Sequence, residues 1–86
     1  MVIEKKVWPK FFENISFGDK TFELRLADWK CKSGDILVLK EWDPKTGKYS
    51  GRNIKKTVTY VTKTKDQKFW SKEEVEKYGF QIIAFK

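Results

Sequence analysis

Histidine is absent, so the chain can build neither a Ser-His-Asp nor a Cys-His nucleophile system, nor a zinc site that needs imidazole. Cysteine occurs once, as Cys31, which excludes an internal disulfide and permits a reducing compartment. Its neighbours Lys30 and Lys32 could lower its pKa, yet no base or second thiol accompanies it, so an incidental thiol is expected rather than a nucleophile. No apolar run approaches the roughly 18 residues of a membrane-spanning helix, and Met1-Val2-Ile3-Glu4-Lys5-Lys6 lacks the apolar stretch of a signal peptide. A cytoplasmic protein without membrane contact is expected. Asp28, Asp35 and Asp43 are scattered over loops without metal-ligand spacing, so no metal is expected. Nothing calls for another cofactor or an obligatory protein partner, and a monomer is expected. What is present is positive charge: 19 Lys and Arg face 12 Asp and Glu, a formal net charge of +7 that favours polyanionic partners. The 86 residues suit a single domain, 1–86, and a hydrophobic share of 40% supplies its core.

The residue pattern divides into short elements without repeats or linkers. Val2 to Trp8 reads as a strand with a charged centre. Pro9 suits the first turn of a helix running to about Phe17, with Trp8, Phe11, Phe12 and Ile15 at helical spacing and Gly18 as its left-handed cap. Thr21 to Leu26 alternates, predicting a half-buried strand with Phe22, Leu24 and Leu26 inward and Thr21, Glu23 and Arg25 on a polar working face. Ile36-Leu37-Val38-Leu39 is apolar on both faces, as a central strand is, and Glu41 and Trp42 continue it. Asp43 to Gly47 reads as a hairpin loop, Lys48 to Ser50 as the start of the return strand, Gly51 as a bulge, and Asn53 to Thr62 as a long strand. A polar loop over residues 63–68 precedes a helix opened by the capping box of Ser71 and Glu74 and closed at Gly79; Phe80 to Phe85 is a last strand. Five or six strands with two short helices predict an α+β, mostly β, small barrel. Its expected shared interior is Phe22, Leu24, Ile36, Val38, Val58, Ile82 and Ala84.

Two features point to chemistry. In Gly18-Asp19-Lys20-Thr21-Phe22-Glu23-Leu24-Arg25, Glu23 and Arg25 leave one strand face about 7 Å apart. A carboxylate there accepts from an exocyclic amine while the guanidinium donates to carbonyl or phosphate oxygens, so the pair suits a nucleobase edge. The same spacing also suits an exposed ion pair of little consequence, and the pattern alone does not identify a site. A lysine desolvated near a carboxylate can also exchange protons and activate water or a hydroxyl, and Lys20 beside Glu23 is the pair that fits. The second feature is the basic stretch of Lys40, Lys45, Lys48, Arg52, Lys55, Lys56, Lys63, Lys65 and Lys68, interleaved with Trp42, Tyr49, Tyr60, Phe69 and Trp70. Cations on phosphates and rings on bases is one reading, with Tyr49, Arg52, Lys55 and Lys56 as contacts. The other is a lysine-protected strand face over core aromatics.

Gly18-x-Lys20-x-x-Glu23-x-Arg25 resembles the G-x-K-x-x-E-x-R signature of the ASCH family, whose domains have a PUA-like β-barrel. Ser33-Gly34-Asp35-Ile36-Leu37-Val38-Leu39 resembles the G-D-x-L-x-L strand that follows it. Trp8-Pro9, Glu41-Trp42-Asp43-Pro44, Thr46-Gly47 and Tyr49-x-Gly51-Arg52 resemble a compact bacterial or phage-associated branch. The resemblance implies a cleft between barrel and first helix, lined by Lys20, Glu23 and Arg25 and flanked by Trp8, that binds RNA or a modified nucleotide. Some family members remove the acetyl group of N4-acetylcytidine with a lysine, a threonine and a glutamate, and others are described as RNA-cleaving. A hydrolase of that kind, the alternative to a binding module, would use Lys20 and Glu23, with Thr21 as the candidate hydroxyl; Glu23 itself stands where that threonine belongs.

Overall fold

A computed structural model describes residues 1–64 and 70–86, with Tyr78 and Phe80 entering through the backbone alone. Most of the polar loop expected over residues 63–68, and with it Lys65, Lys68 and Phe69, lies outside the described residues. In chain order the elements are β1 (Val2–Val7), α1 (Pro9–Ser16), β2 (Phe22–Leu26), β3 (Ile36–Asp43), β4 (Lys48–Lys63), α2 (Lys72–Tyr78) and β5 (Phe80–Phe85). The strands form a sheet in the order β1-β3-β4-β5-β2 that curls into a half-barrel, as expected of a small α+β barrel. The two stretches expected on either side of Gly51 are one strand, β4, whose register slips where Lys40 and Trp42 meet Asn53 and Tyr49. Gly51 sits in that slip at φ +94°, a backbone angle that L side chains rarely adopt, which is why the bulge falls there.

β3 is central because both of its faces are apolar. Leu37 and Leu39 point to the concave side, where they meet Val7, Phe12, Ile15, Val58, Ile83 and Phe85 in the core. Helix α1 closes this side with Phe12 and Ile15, while Trp8 and Phe11, one turn away, stay exposed. Trp8 caps the helix with extended backbone and its carbonyl accepts from Phe12 N at 2.9 Å; Pro9 at the first helical position loses no hydrogen bond. At the far end of the chain the capping box forms as expected, with Ser71 Oγ accepting from Glu74 N at 3.3 Å and donating to Glu74 Oε1 at 2.7 Å.

The expected interior is corrected in its parity. Of Phe22, Leu24, Ile36, Val38, Val58, Ile82 and Ala84, Val58 belongs to the core cluster, and Val38 is buried outside it. Phe22, Leu24, Leu26 and Ile82 are exposed, and β5 buries Ile83 and Phe85 instead. Register explains the inversion: Glu23 lies opposite Ile83, so the polar positions of β2 share the concave row. Alternation shows that a strand has two unlike faces; it does not say which faces in, and β2, at the rim of an open barrel, places its polar set inward.

Candidate functional site

β1 and β2 are the two ends of the sheet. β1 is parallel to β3, and three antiparallel pairings lead from β3 to β2, so the two end strands run in opposite directions across an open seam. The phase of the ladders fixes which backbone groups face that seam. Phe85 N donates to Thr21 O at 3.0 Å and Ala27 N to Gly79 O at 3.3 Å, so the odd-numbered residues of β2 bond to β5 and the peptide groups of Phe22 and Leu24 point away from it. Ile36 N donates to Met1 O at 2.9 Å, so in β1 the even-numbered residues, Lys6 among them, turn their carbonyls outward. Two cations take up these edge carbonyls. Lys20 Nζ donates to Phe22 O at 2.8 Å, and Arg25 Nη2 reaches across the seam to Lys6 O.

Both cations are held by Glu23. Lys20 Nζ lies 2.5 Å from Oε1 and Arg25 Nε 2.9 Å from Oε2, and the carboxylate is buried, with the residue 5% exposed. Lys20 lies outside the strand alternation, and the turn at Gly18 (φ +85°) lets the chain bring it back to the same carboxylate. Its ammonium also sits 5.7 Å from the ring centre of Phe11 and 5.0 Å from that of Phe22. Above this floor the seam widens into a cleft of about 520 Å³, walled by Trp8, Phe11, Phe22 and Leu24 and bordered by Lys6 and Val7. Trp8 and Phe11 stack, with ring centres 6.4 Å apart and planes 22° from parallel. Two positive groups on one carboxylate leave a surplus positive charge at the floor, and donors not spent on Glu23 or the edge carbonyls remain for a ligand. The arrangement can therefore bind acceptor oxygens below a planar group held between apolar walls.

A second hollow of about 390 Å³ shares Lys6 and Arg25 with the cleft and continues along Glu4, Lys5, Lys40 and Tyr49. Here the lysines lie over rings: Lys5 over Trp29 at 4.1 Å, Lys6 over Trp42 at 4.6 Å, and Lys40 over Tyr49 at 5.5 Å.

Lys20, Glu23, Arg25 and Trp8 thus come together, and Tyr49 borders the adjoining hollow. Thr21 is exposed and does not line the cleft. Arg52 lies elsewhere: its fork holds Glu41 through Nε to Oε1 at 3.0 Å and Nη2 to Oε2 at 2.6 Å, and its guanidinium covers the Phe12 ring at 4.9 Å. These hydrogen bonds, with one from Ser50, hold the Glu41 carboxyl below the usual carboxylate range. Lys55 is exposed on the convex face and Lys56 half-buried across from Leu37; neither borders the cleft. Burial, followed by the charge of Asp35, pushes the Cys31 thiol up, which agrees with an incidental thiol rather than a nucleophile. Phe22 and Leu24, expected in the interior, and Phe11, read only as part of the helical spacing, are cleft walls instead. Sequence reasoning also missed Lys6, whose outward carbonyl is visible only once the ladder phase is known.

Among the described residues no helix is long and apolar enough to cross a membrane. A family described as a domain of unknown function, DUF3850, matches residues 2–74. An uncharacterized 12.9 kDa protein of Escherichia phage P2 is 35% identical over 63 residues, which are 73% of this chain and 56% of that protein, so the chain spans little more than half the relative's length. The crystal structure of hypothetical protein PH0355 superposes with a TM-score of 0.68 at 21% identity, covering 100% of this chain and 98% of that one, a likeness of fold.

Proposed function

The chain belongs to the DUF3850 family, and we propose that it is an ASCH-like, PUA-like domain that binds RNA or a modified nucleotide in the seam between β1 and β2. The observation that carries this reading is the buried Glu23 locking Lys20 and Arg25 at the floor of an aromatic-walled cleft. Taking a carboxylate out of water and pairing it with two cations costs more in desolvation than an exposed ion pair would, and it fixes two donors in one place. A base enters between Trp8 and Phe11 on one side and Phe22 and Leu24 on the other, where stacking is tolerant of base identity. Its carbonyl or phosphate oxygens meet Lys20 and Arg25. Glu23 is then a positioning residue, both of its oxygens being engaged by those cations. The net charge of +7 supports a polyanion as the wider partner. In this reading the protein is a cytoplasmic monomer without a metal or other cofactor.

A hydrolytic role at this site rests on the Lys20 and Glu23 contact alone. Thr21 does not line the cleft, so the nucleophile there would be water or, on RNA, the substrate's own 2′-hydroxyl.

Glu23→Gln tests the binding reading. Without the carboxylate's charge Lys20 and Arg25 lose their common anchor, and affinity for single-stranded RNA oligomers falls about ten-fold, because the ligand must now order two long side chains at about 0.5–1.5 kcal/mol each. The thermal midpoint, read alongside, shows that the variant is folded. A folded Glu23→Gln protein that binds RNA as tightly as the wild type contradicts the reading. Turnover of RNA or of N4-acetylcytidine by the wild type, abolished in Lys20→Met, would move the assignment to the hydrolase.

A further inference from the structure

We propose that the hollow along Lys5, Lys6, Lys40 and Tyr49 is a second subsite. It takes the phosphate and base of the nucleotide adjoining the one in the cleft, so the ligand is a single-stranded oligonucleotide of at least two nucleotides. The inference rests on the nucleotide reading of the cleft and goes beyond it in naming the ligand's length and strandedness.

Continuity is the first support. Lys6 and Arg25 border both hollows, so a chain leaving the cleft past them enters the second space directly. Charge is the next. Among the described residues Lys5, Lys6, Arg25 and Lys40 face Glu4 as the one carboxylate bordering this hollow. Glu4 holds Lys40 at 3.2 Å on an exposed surface, a weak tie, whereas Lys6, among the described residues, meets the rings of Trp42 and Tyr49 and no carboxylate. A phosphodiester placed between Lys6 and Lys40 meets two ammonium groups already held in position over rings. Tyr49, 52% exposed, offers a stacking surface beside them, the combination of cation and aromatic that binds single strands without requiring a sequence.

Strandedness follows from the cleft itself. A base between the Trp8–Phe11 stack and Phe22 has left its neighbours, which a base paired within a duplex cannot do without flipping out. A run of acidic residues could use the lysines but brings no aromatic ring to stack on the walls of the cleft.

The test measures affinity by calorimetry for ribonucleosides, for their 5′-monophosphates and for the corresponding 3′,5′-linked dinucleotides. The wild type binds a dinucleotide at least ten-fold more tightly than its nucleoside. Lys40→Gln and Tyr49→Ala, which do not border the cleft, remove most of that gain and leave nucleoside affinity unchanged, while Lys40→Arg retains it. Dinucleotides binding no better than nucleosides overturn the second subsite and leave the cleft reading standing. An equal loss of nucleoside and dinucleotide affinity in folded Lys40→Gln also overturns it. A polyglutamate peptide that displaces bound dinucleotide as well as single-stranded RNA does would transfer this hollow to acidic protein segments. Failure of every nucleoside and nucleotide to bind overturns both readings together.

Discussion

Glu23 and Glu41 are both buried carboxylates, and the contrast between their partners separates the site from the scaffold. Glu41 is held by a bidentate Arg52 that also covers the core residue Phe12, so its pairing supports the fold. Because its carboxyl titrates below its unfolded value of about 4.3, it adds stability above that pH and loses it as pH falls through the lower, folded value. Arg52→Gln should therefore lower the urea midpoint at pH 7, and the gap from wild type should close in acid. A gap that is constant from pH 7 to pH 3 would show that the pair does not couple to folding. Leu24 makes the complementary case. Being 58% exposed, it should cost under about 1 kcal/mol when replaced by Ala, whereas Ile83→Ala, fully buried, should cost about 2–5 kcal/mol. Urea titration of both variants decides between this parity and the opposite one.

At the level of elements, helix α1 has an apolar face wider than the core can use. Trp8, Phe11, Phe12 and Ile15 share one helical pattern, yet Phe12 and Ile15 are buried and Trp8 and Phe11 open onto the cleft. Phe12→Ala should cost about 3–5 kcal/mol of stability. Phe11→Ala should leave the fold intact and weaken RNA binding by about 1–3 kcal/mol, the worth of one stacked base. Equal loss of stability in the two variants would mean that Phe11 is core after all. The helix, the central character of β3, the bulge at Gly51 and the capping box were legible because each depends on local spacing or on a backbone angle that glycine tolerates. The orientation of β2 was not, because it is set by pairing with β5, more than fifty residues away in the chain. The signature Lys20, Glu23 and Arg25 was legible as a cluster, while its role in capping two sheet edges needed the ladder phase.

For the whole molecule, an unclosed barrel leaves two strand edges facing each other, and the signature bridges them with side chains rather than backbone bonds. On the proposed reading the ligand enters the seam and not the basic surface of β4. Binding should weaken with salt at a logarithmic slope of about −0.7 per phosphate contacted on a single strand. Charge reversal at Lys55 and Lys56 should leave the slope for dinucleotides unchanged, since neither borders the cleft or the adjoining hollow. The most direct test is a titration of isotope-labelled protein with a short single-stranded RNA, followed by nuclear magnetic resonance. Shifts should concentrate on the Trp8 indole N–H, the Arg25 Nε–H and the backbone amides of Phe22 and Leu24, with the amides of Lys55 and Lys56 unmoved. Shifts confined to β4 around Lys55 and Lys56, with Trp8 and Arg25 silent, would contradict a ligand site in the seam.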